Sequence, residues 1–240
     1  MTFDVFDFSN SGGRGYNEDS VGFSIGGDGG IFVVADGLGG HSHGELASVC
    51  VKDTLLQAWR GGEADRAAWF SAVIAEANSR ILAIQAEKNT VLKSTVVSLA
   101  IDGSHAVWAH SGDSRLYYIH RGWLRYVTAD HSVAYKKYKA GEISRDQIAT
   151  DEDQSSLLRT LGGQDRFEPD IYVCDIPIEP GDGFILCSDG AWEYLKDGEI
   201  AIDLLKSNNA KEWTQLILLR MMDRISPGND NLSLLTVMIG

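Results

Sequence analysis

Two carboxylates stand where an apolar stretch of the chain meets a glycine. Ile31–Ala35 runs into Asp36, and Phe184–Ser188 runs into Asp189, and each aspartate is followed by glycine. An unpaired carboxylate at the end of a buried strand is costly, because burial penalises the charged form of an acid. A bound cation offsets that cost, so the pattern predicts a cation site at the strand ends.

Three further acids precede apolar stretches. Glu18 and Asp19 come just before residues 21–25, and Asp230 comes just before residues 232–239. A site made only of oxygen ligands, without histidine or cysteine, selects Mg²⁺, Mn²⁺ or Ca²⁺. Gly37 leaves its own carbonyl accessible as a further ligand. A single Asp-Gly pair would indicate only a turn, whereas the repeated pattern favours a metal site.

Two cations bridged by a carboxylate can hold a shared water, lower its pKa and neutralise a phosphoryl group. Such a site needs a guanidinium that can fork onto phosphate oxygens. Arg14 lies in a glycine-rich turn only a few residues before Glu18 and Asp19. By itself it would be read as a surface arginine in a flexible turn.

The elements that must position these residues are strands in two groups and helices in pairs. Apolar spacing predicts helices over 43–59 and 65–87, which should be antiparallel, and two more over 200–205 and 213–222. Predicted strands occupy 3–6, 21–25, 31–35, 95–101, 105–110, 116–120, 124–127, 171–176, 184–187 and 232–239. This order does not alternate as βαβα, so it disfavours a doubly wound parallel sheet. Antiparallel sheets with helices outside fit better, in one domain over 1–240 with a flap at about 133–155.

Composition excludes several classes of protein. The chain has 240 residues, is 44% hydrophobic and carries a formal net charge of −13. It is large enough to bury a substantial core, and its acidity argues against binding of nucleic acid or anionic membranes. Its three cysteines lack CxxC spacing, and no signal peptide or membrane span is recognisable. We therefore predict a cytoplasmic location.

An ordered set of motifs resembles the metal-dependent protein phosphatase family of type 2C, in its short bacterial form. The resemblance covers almost the whole chain. The motifs are Arg14–Asp19, Val34–His41, His110–Arg115, Thr128–Ser132, Leu158–Gly163, Leu186–Gly190 and Asn229–Asn231.

The resemblance implies an α+β fold, a four-layer α-β-β-α sandwich of two antiparallel sheets between helix pairs. It implies hydrolysis of phosphoserine and phosphothreonine in proteins by metal-activated water, with two Mn²⁺ or Mg²⁺ ions and a weaker third site. Asp36 would bridge both core ions, and the Gly37 carbonyl would bind one of them. Asp189 and Asp230 would be ligands of the other ion, and Glu18 and Asp19 would hold metal-bound water. Asp113 would belong to the third site, which it would share with Asp189. Arg14 would bind the phosphate.

One departure concerns the general acid. Some family members have histidine directly after the bridging Asp-Gly, where this chain has Leu38. His41 and His43 are candidates for the proton donor, because an unperturbed histidine titrates near pH 6.5. The alternatives are that His41 packs or caps at the helix start and that a metal-bound water donates the proton.

Several functions fit these residues. The first is an active phosphatase that opposes a bacterial Ser/Thr kinase, acts on phosphorylated proteins and is a monomer. The second is a catalytically silent, phosphatase-like binding module, which loss of Asp36, Asp189 or Asp230 would have favoured. The third is a partner-switching regulator with a single antagonist as its substrate. A phosphodiesterase or small-molecule phosphatase would share the same metal chemistry.

Overall fold

The computed structural model describes residues 1–39, 44–163 and 167–240. Most of the strands in these ranges belong to two five-stranded sheets. The strands are β1 (Phe3–Asn10), β2 (Ser20–Gly26), β3 (Gly29–Ala35), β4 (Gly37–Gly39), β5 (Leu92–Ser94), β6 (Val96–Asp102), β7 (His105–Ser111), β8 (Arg115–His120), β9 (Trp123–Val127), β10 (Asp170–Val173), β11 (Gly183–Cys187) and β12 (Leu232–Ile239). The helices are α1 (Gly44–Ala58), α2 (Arg66–Lys88), α3 (Val133–Ala140), α4 (Asp189–Trp192), α5 (Asp197–Lys206) and α6 (Ala210–Met222), with a 3₁₀ helix at Arg145–Thr150.

Every strand pairing in the two sheets is antiparallel. The first sheet has the order β1-β12-β11-β8-β9, and the second has the order β10-β7-β6-β3-β2. β1 and β12 pair along their full lengths, from Phe3 opposite Ile239 to Asn10 opposite Leu232. The predicted antiparallel arrangement is confirmed.

The alternation of side chains along β3 explains the layers. Phe32 and Val34 point into a core between the two sheets, where they meet residues such as Leu235. Ile31 and Val33 point to the other face, into a second core formed with α1 and α2. Both faces of β3 are buried, which is why its sequence is an uninterrupted apolar run.

A third core lies on the outer face of the first sheet. Trp213 and Ile217 of α6 and Leu204 of α5 pack there against Ile185 of β11 and neighbouring residues. The result is a four-layer α-β-β-α sandwich, which confirms the fold that the family resemblance implies. Among the described residues, no helix combines the length and the apolar character needed to cross a membrane.

The segment 133–155, which the sequence predicts to be a flap, lies outside the two five-stranded sheets and contains α3 and the 3₁₀ helix. Ser132 caps α3 by accepting a hydrogen bond from the Tyr135 amide. Lys137 of α3 forms ion pairs with Asp151 at 2.9 Å and with Asp153 at 2.8 Å. These pairs fasten α3 to the segment that follows the 3₁₀ helix.

The root of the flap is attached to the loop after β7. The His131 amide donates to the Gly112 carbonyl at 2.9 Å, and the Gly112 amide donates to His131 Nδ1 at 3.2 Å. The Leu158 amide donates to the His131 carbonyl at 2.7 Å. His131 therefore joins both ends of the flap to the segment that carries Asp113.

The observed elements differ from the predicted ones mainly at their ends. The short pair β4–β5 and the one-turn helix α4 were not predicted, because such short elements leave no periodic pattern. β10 ends at Val173 rather than at residue 176, since its pairing with β7 stops there. The first helix is described from Gly44, so the predicted start at His43 lies outside the described residues.

Candidate active site

Four chain segments bring the predicted acids to one edge of the sandwich. Asp36 follows β3, Asp189 begins α4 one residue beyond the end of β11, Asp230 precedes β12, and Glu18 with Asp19 precedes β2. Glu18, Asp36, Asp189 and Asp230 line one open cleft of about 400 Å³. The structure thus gathers acids that are up to 212 positions apart between Glu18 and Asp230 in the chain.

Burial and mutual repulsion raise the pKa values of these acids. The pKa of Asp36 lies well above its ordinary value because of burial and then because of the charges of Asp189, Asp19, Asp113 and Asp230. The pKa of Asp189 is likewise raised well above its ordinary value, mainly by burial and next by Asp113. The acids therefore lie close enough together to oppose one another's ionisation.

The deeper acids show the same effect. Burial raises the pKa of Asp19 to about 6, against hydrogen bonds from Ser188 and Ser233 that lower it. Burial also raises the pKa of Asp113 to about 7, and the charge of Asp130 adds to this. Neither acid lines the open cleft. Both stand behind it, near the groups that do.

The donor set fits divalent cations. Oδ1 of Asp19 and Oδ1 of Asp113 are buried without a hydrogen-bond partner. In the described parts of the chain, the only ion pair that any of the predicted acids makes is the one between Asp230 and Arg14. Apart from Asp230, these carboxylates make no ion pair among the described residues, and buried oxygens of two of them are unpaired, so the site lacks positive charge. Hard cations with oxygen ligands, such as Mg²⁺ and Mn²⁺, meet that need.

Gly37 is required by the close approach of three backbone segments. A Cβ at this position would lie 2.2 Å from the Gly44 carbonyl oxygen and 2.6 Å from the Glu18 carbonyl oxygen. Glu18 fills the same junction, because its carbonyl accepts from the Gly37 amide at 3.1 Å and its Oε1 accepts from the Gly44 amide at 2.9 Å. Glu18 therefore also caps the start of α1, a structural role that the sequence did not reveal.

The backbone of Asp36 is fixed by the chain that precedes β6. The Asp36 amide donates to Thr95 Oγ1 at 2.9 Å, and the Asp36 carbonyl accepts from the Thr95 amide at 2.9 Å. Ser94 Oγ donates to the same carbonyl at 2.9 Å. Both backbone groups of Asp36 are thus hydrogen-bonded, whereas its carboxylate is available to the cleft.

Arg14 reaches the acids as predicted. Its Nη2 lies 2.7 Å from Asp230 Oδ2, and its side chain remains 57% exposed. The glycine-rich turn packs on the loop before β12, where the Gly13 amide donates to the Asn229 carbonyl at 3.0 Å. A Cβ at Gly12 would lie 2.2 Å from the Asp230 carbonyl oxygen, so only glycine allows the turn to approach this closely.

Asn231, the last residue of the motif at 229–231, has a structural role in the site that was not predicted. Its Nδ2 donates to the carbonyls of Ser11 at 3.0 Å and Tyr16 at 2.8 Å, and its Oδ1 accepts from the Glu18 amide at 2.8 Å. One side chain thus fastens the Arg14 turn and the Glu18 segment beside Asp230. No pattern in a single sequence indicates this.

Glu193 is a second residue that sequence reasoning missed. Burial raises its pKa to about 7, and the charge of Asp230 adds to the effect. Its charge in turn raises the pKa of Asp189. Gln154 of the flap donates to Glu193 Oε1 at 2.7 Å. Its position four residues after Asp189, one helical turn on, was the signal that could have found it.

The remaining predicted site residue, His41, lies outside the described residues, as does His43. The structure therefore does not test either as the proton donor. The other predicted residues are all brought to the cleft or directly behind it. They are Arg14, Glu18, Asp19, Asp36, Gly37, Asp113, Asp189 and Asp230.

Known proteins share this sequence pattern and fold. The family model described as Protein phosphatase 2C matches residues 12–215. The serine/threonine phosphatase stp of Listeria welshimeri is 32% identical over 93% of this chain and 90% of its own. The protein phosphatase PhpP of Streptococcus pneumoniae is 29% identical over 71% of this chain and 70% of its own.

Solved structures agree. The serine/threonine phosphatase of S. agalactiae superimposes with a TM-score of 0.86 at 25% identity, covering 100% of both chains. The catalytic domain of the phosphatase PstP, solved in complex with two manganese ions, superimposes with a TM-score of 0.82 at 28% identity and covers 99% of this chain and 98% of that one. The predicted resemblance is confirmed, and the chain belongs to the protein phosphatase 2C family as a serine/threonine protein phosphatase.

Proposed function

We propose that the cleft around Asp36 is the catalytic centre of this phosphatase, and that Arg14 binds the phosphate of a phosphoserine or phosphothreonine in a protein substrate. The observation that carries the proposal is that Asp36, Asp189 and Asp230 line one cleft with Asp19 directly behind it. Among the described residues, the ion pair between Asp230 and Arg14 is the only one that these four acids make. Such a cleft favours cations and the phosphate that binds to them.

When bound, two divalent cations at these acids supply a water of lowered pKa and neutralise the phosphoryl charge. Asp36, whose pKa is raised by burial and then by the charges of Asp189, Asp19, Asp113 and Asp230, is the residue that would hold both ions, and the Gly37 carbonyl would be a further ligand of one. Asp189 and Asp230 would be ligands of the other ion. The Asp19 carboxylate, with Oδ2 fixed by Ser188 at 2.7 Å, keeps Oδ1 for a hydrogen bond from water.

Arg14 binds and orients the phosphate in this scheme. Its guanidinium is planar and can donate two parallel hydrogen bonds to phosphate oxygens. Its contact with Asp230 already holds it at the edge of the acid cluster. His41 remains a candidate for the group that protonates the leaving serine or threonine oxygen.

A weaker third cation site is supported by a second group of acids. In addition to burial, the charges of Asp113 and Glu193 raise the pKa of Asp189, the charge of Glu193 raises the pKa of Asp113, and Oδ1 of Asp113 is buried without a hydrogen-bond partner among the described residues. Because Gln154 joins Glu193 to the flap, an ion held there would lie between the catalytic cleft and the flap.

We further propose that the substrates are phosphorylated proteins of a bacterial Ser/Thr kinase in the cytoplasm, and that the chain acts as a monomer with one catalytic domain over 1–240. The pairing of β1 with β12 in one sheet supports a single folding unit. The three cysteines are unpaired, which suits a reducing compartment.

The experiment is release of phosphate from a phosphothreonine peptide with Mn²⁺, with Mg²⁺ and with chelator. We expect metal-dependent release that Asp189→Asn abolishes, while the matched control Asp223→Asn, an exposed acid at the end of α6, retains it. No release under any metal, from a folded protein, would overturn the proposal and favour the catalytically silent alternative.

A further inference from the structure

We propose that Tyr16 determines substrate specificity by packing its ring against an apolar side chain next to the phosphorylated residue. The inference rests on the proposed function, since it assumes that phosphate binds at Arg14. It adds the class of peptide that this cleft prefers, one with aliphatic or aromatic residues adjoining phosphoserine or phosphothreonine.

The Tyr16 side chain is exposed at the mouth of the catalytic cleft. It lines the same cleft as Arg14, Asp36, Asp189 and Asp230, and 69% of the residue is accessible to solvent. Within the described residues, its hydroxyl forms no hydrogen bond and its ring contacts no other aromatic ring. A large aromatic group that serves no part of the fold is available for a ligand.

The backbone of Tyr16 is nevertheless held in place. Its carbonyl accepts from Asn231 Nδ2 at 2.8 Å, and the same Asn231 accepts from the Glu18 amide at 2.8 Å. Asn231 is the neighbour of Asp230, the partner of Arg14. The ring therefore projects from a segment that is fixed relative to the phosphate-binding arginine, which reduces the entropy lost on binding a peptide.

Distance along the chain favours contact with a flanking residue. Arg14 and Tyr16 are two positions apart, so their Cα atoms lie within about 7.6 Å of each other. Successive residues of an extended peptide rise by about 3.3 Å each. A phosphate at Arg14 thus places the next one or two residues of the substrate within reach of the Tyr16 ring.

The second apolar residue of the cleft supports the preference for an apolar flank. Leu38, partly buried, lines the cleft together with Tyr16. Ser155 of the flap lines it as well, so a bound peptide would be enclosed from that side. Burial of an aliphatic side chain against a ring and a leucine is enough for about a tenfold preference.

The test uses two phosphothreonine peptides that are identical except for the residues flanking phosphothreonine. These are leucines in one peptide and asparagines, of similar size and shape, in the other. The quantity measured is the ratio of kcat/KM for the two peptides. We expect the unaltered chain to favour the leucine peptide by about tenfold, mostly through KM, and Tyr16→Ala to bring the ratio close to one.

Two variants make the test specific. Tyr16→Phe should keep the ratio, because the ring and not the hydroxyl makes the contact. Trp123→Ala, which removes an aromatic residue that is 80% exposed on β9 outside the cleft, should also keep it. A ratio near one in the unaltered chain would overturn the inference, and so would a tenfold ratio that persists in Tyr16→Ala. In either case, hydrolysis of both peptides would still support the phosphatase function. Failure to hydrolyse either peptide would instead overturn that function and this inference with it.

Discussion

Arg14 and Asp230 form an ion pair in the cleft that we propose to be catalytic, with 2.7 Å between Nη2 and Oδ2. The two residues lie 216 positions apart and come together because the Arg14 turn packs on the loop before β12. In the proposed mechanism each has another partner, phosphate for Arg14 and a cation for Asp230. Their contact therefore links the phosphate site to the metal site.

Replacing Arg14 by alanine should raise KM for phosphopeptides by about ten- to a hundredfold, because charge-assisted hydrogen bonds to phosphate are lost. Steady-state kinetics at saturating Mn²⁺ measure this. Arg121→Ala, which removes an exposed arginine paired with Glu179 far along the chain, is the control and should leave KM unchanged. Unchanged KM and kcat in Arg14→Ala would remove Arg14 from the phosphate site.

The same substitution should tighten cation binding. Arg14 competes with a cation for the Asp230 carboxylate, so Arg14→Ala removes a competitor and a nearby positive charge. Calorimetric titration with Mn²⁺ should show a several-fold lower Kd, about 1 kcal/mol at the effective dielectric of a surface site. A weaker or identical Kd would show that Arg14 does not oppose the cation.

Asp36→Asn should abolish activity at any practical Mn²⁺ concentration. The carboxylate that interacts with all the other aspartates of the cluster becomes a neutral amide that cannot bridge two ions. Phosphate release from a phosphothreonine peptide across a Mn²⁺ series checks this, with circular dichroism to establish folding. Near-normal turnover in a folded Asp36→Asn would contradict the bridging role.

Much of this site could be predicted because it depends on local sequence. Asp36 and Asp189 each follow a strand buried on both faces, and such strands appear as continuous apolar runs that stop at a charged residue. Assigning the ends of both strands to one site predicts that their acids form a cluster. The resemblance to a phosphatase family supplied the roles.

Other features depend on contacts between distant segments and leave no local pattern. Asn231 fastens Tyr16 and Glu18 through hydrogen bonds that span more than two hundred positions. β4 has only three residues, and its formation depends on pairing with β5. Neither feature changes the periodicity of the residues around it, so neither could be predicted.

Gly37→Ala should destabilise the protein and weaken metal binding. Its Cβ would meet the carbonyl oxygens of Gly44 and Glu18 at 2.2 and 2.6 Å, both backbone atoms that cannot turn aside. Such overpacking costs about 3 kcal/mol, and it would also move the Gly37 carbonyl. Gly26→Ala is the control, since a Cβ there meets nothing within 4 Å. Denaturant unfolding of both variants measures the difference, and equal stability would contradict the packing argument.

In the metal-free protein, the buried acids should contribute less to stability as pH rises through the range where they ionise. Burial raises the pKa of Asp113 to about 7 in the folded state, above the value near 3.8 of the unfolded chain. The folded protein therefore binds more protons than the unfolded one between about pH 4 and pH 7, and in that range the contribution of Asp113 to stability falls with rising pH.

His110 has the opposite effect, because burial lowers its pKa to about 4 and its contribution to stability rises over the same range. A comparison of Asp113→Asn with the unaltered chain cancels the effect of His110, which both chains contain. Asp113→Asn, compared with the unaltered chain in chelator, should gain unfolding free energy between pH 4 and pH 8, on the order of 4 kcal/mol. Saturating Mn²⁺ should reduce that gain, since a bound cation favours the ionised carboxylate. A difference between the two chains that does not change with pH would show that Asp113 does not titrate in this range.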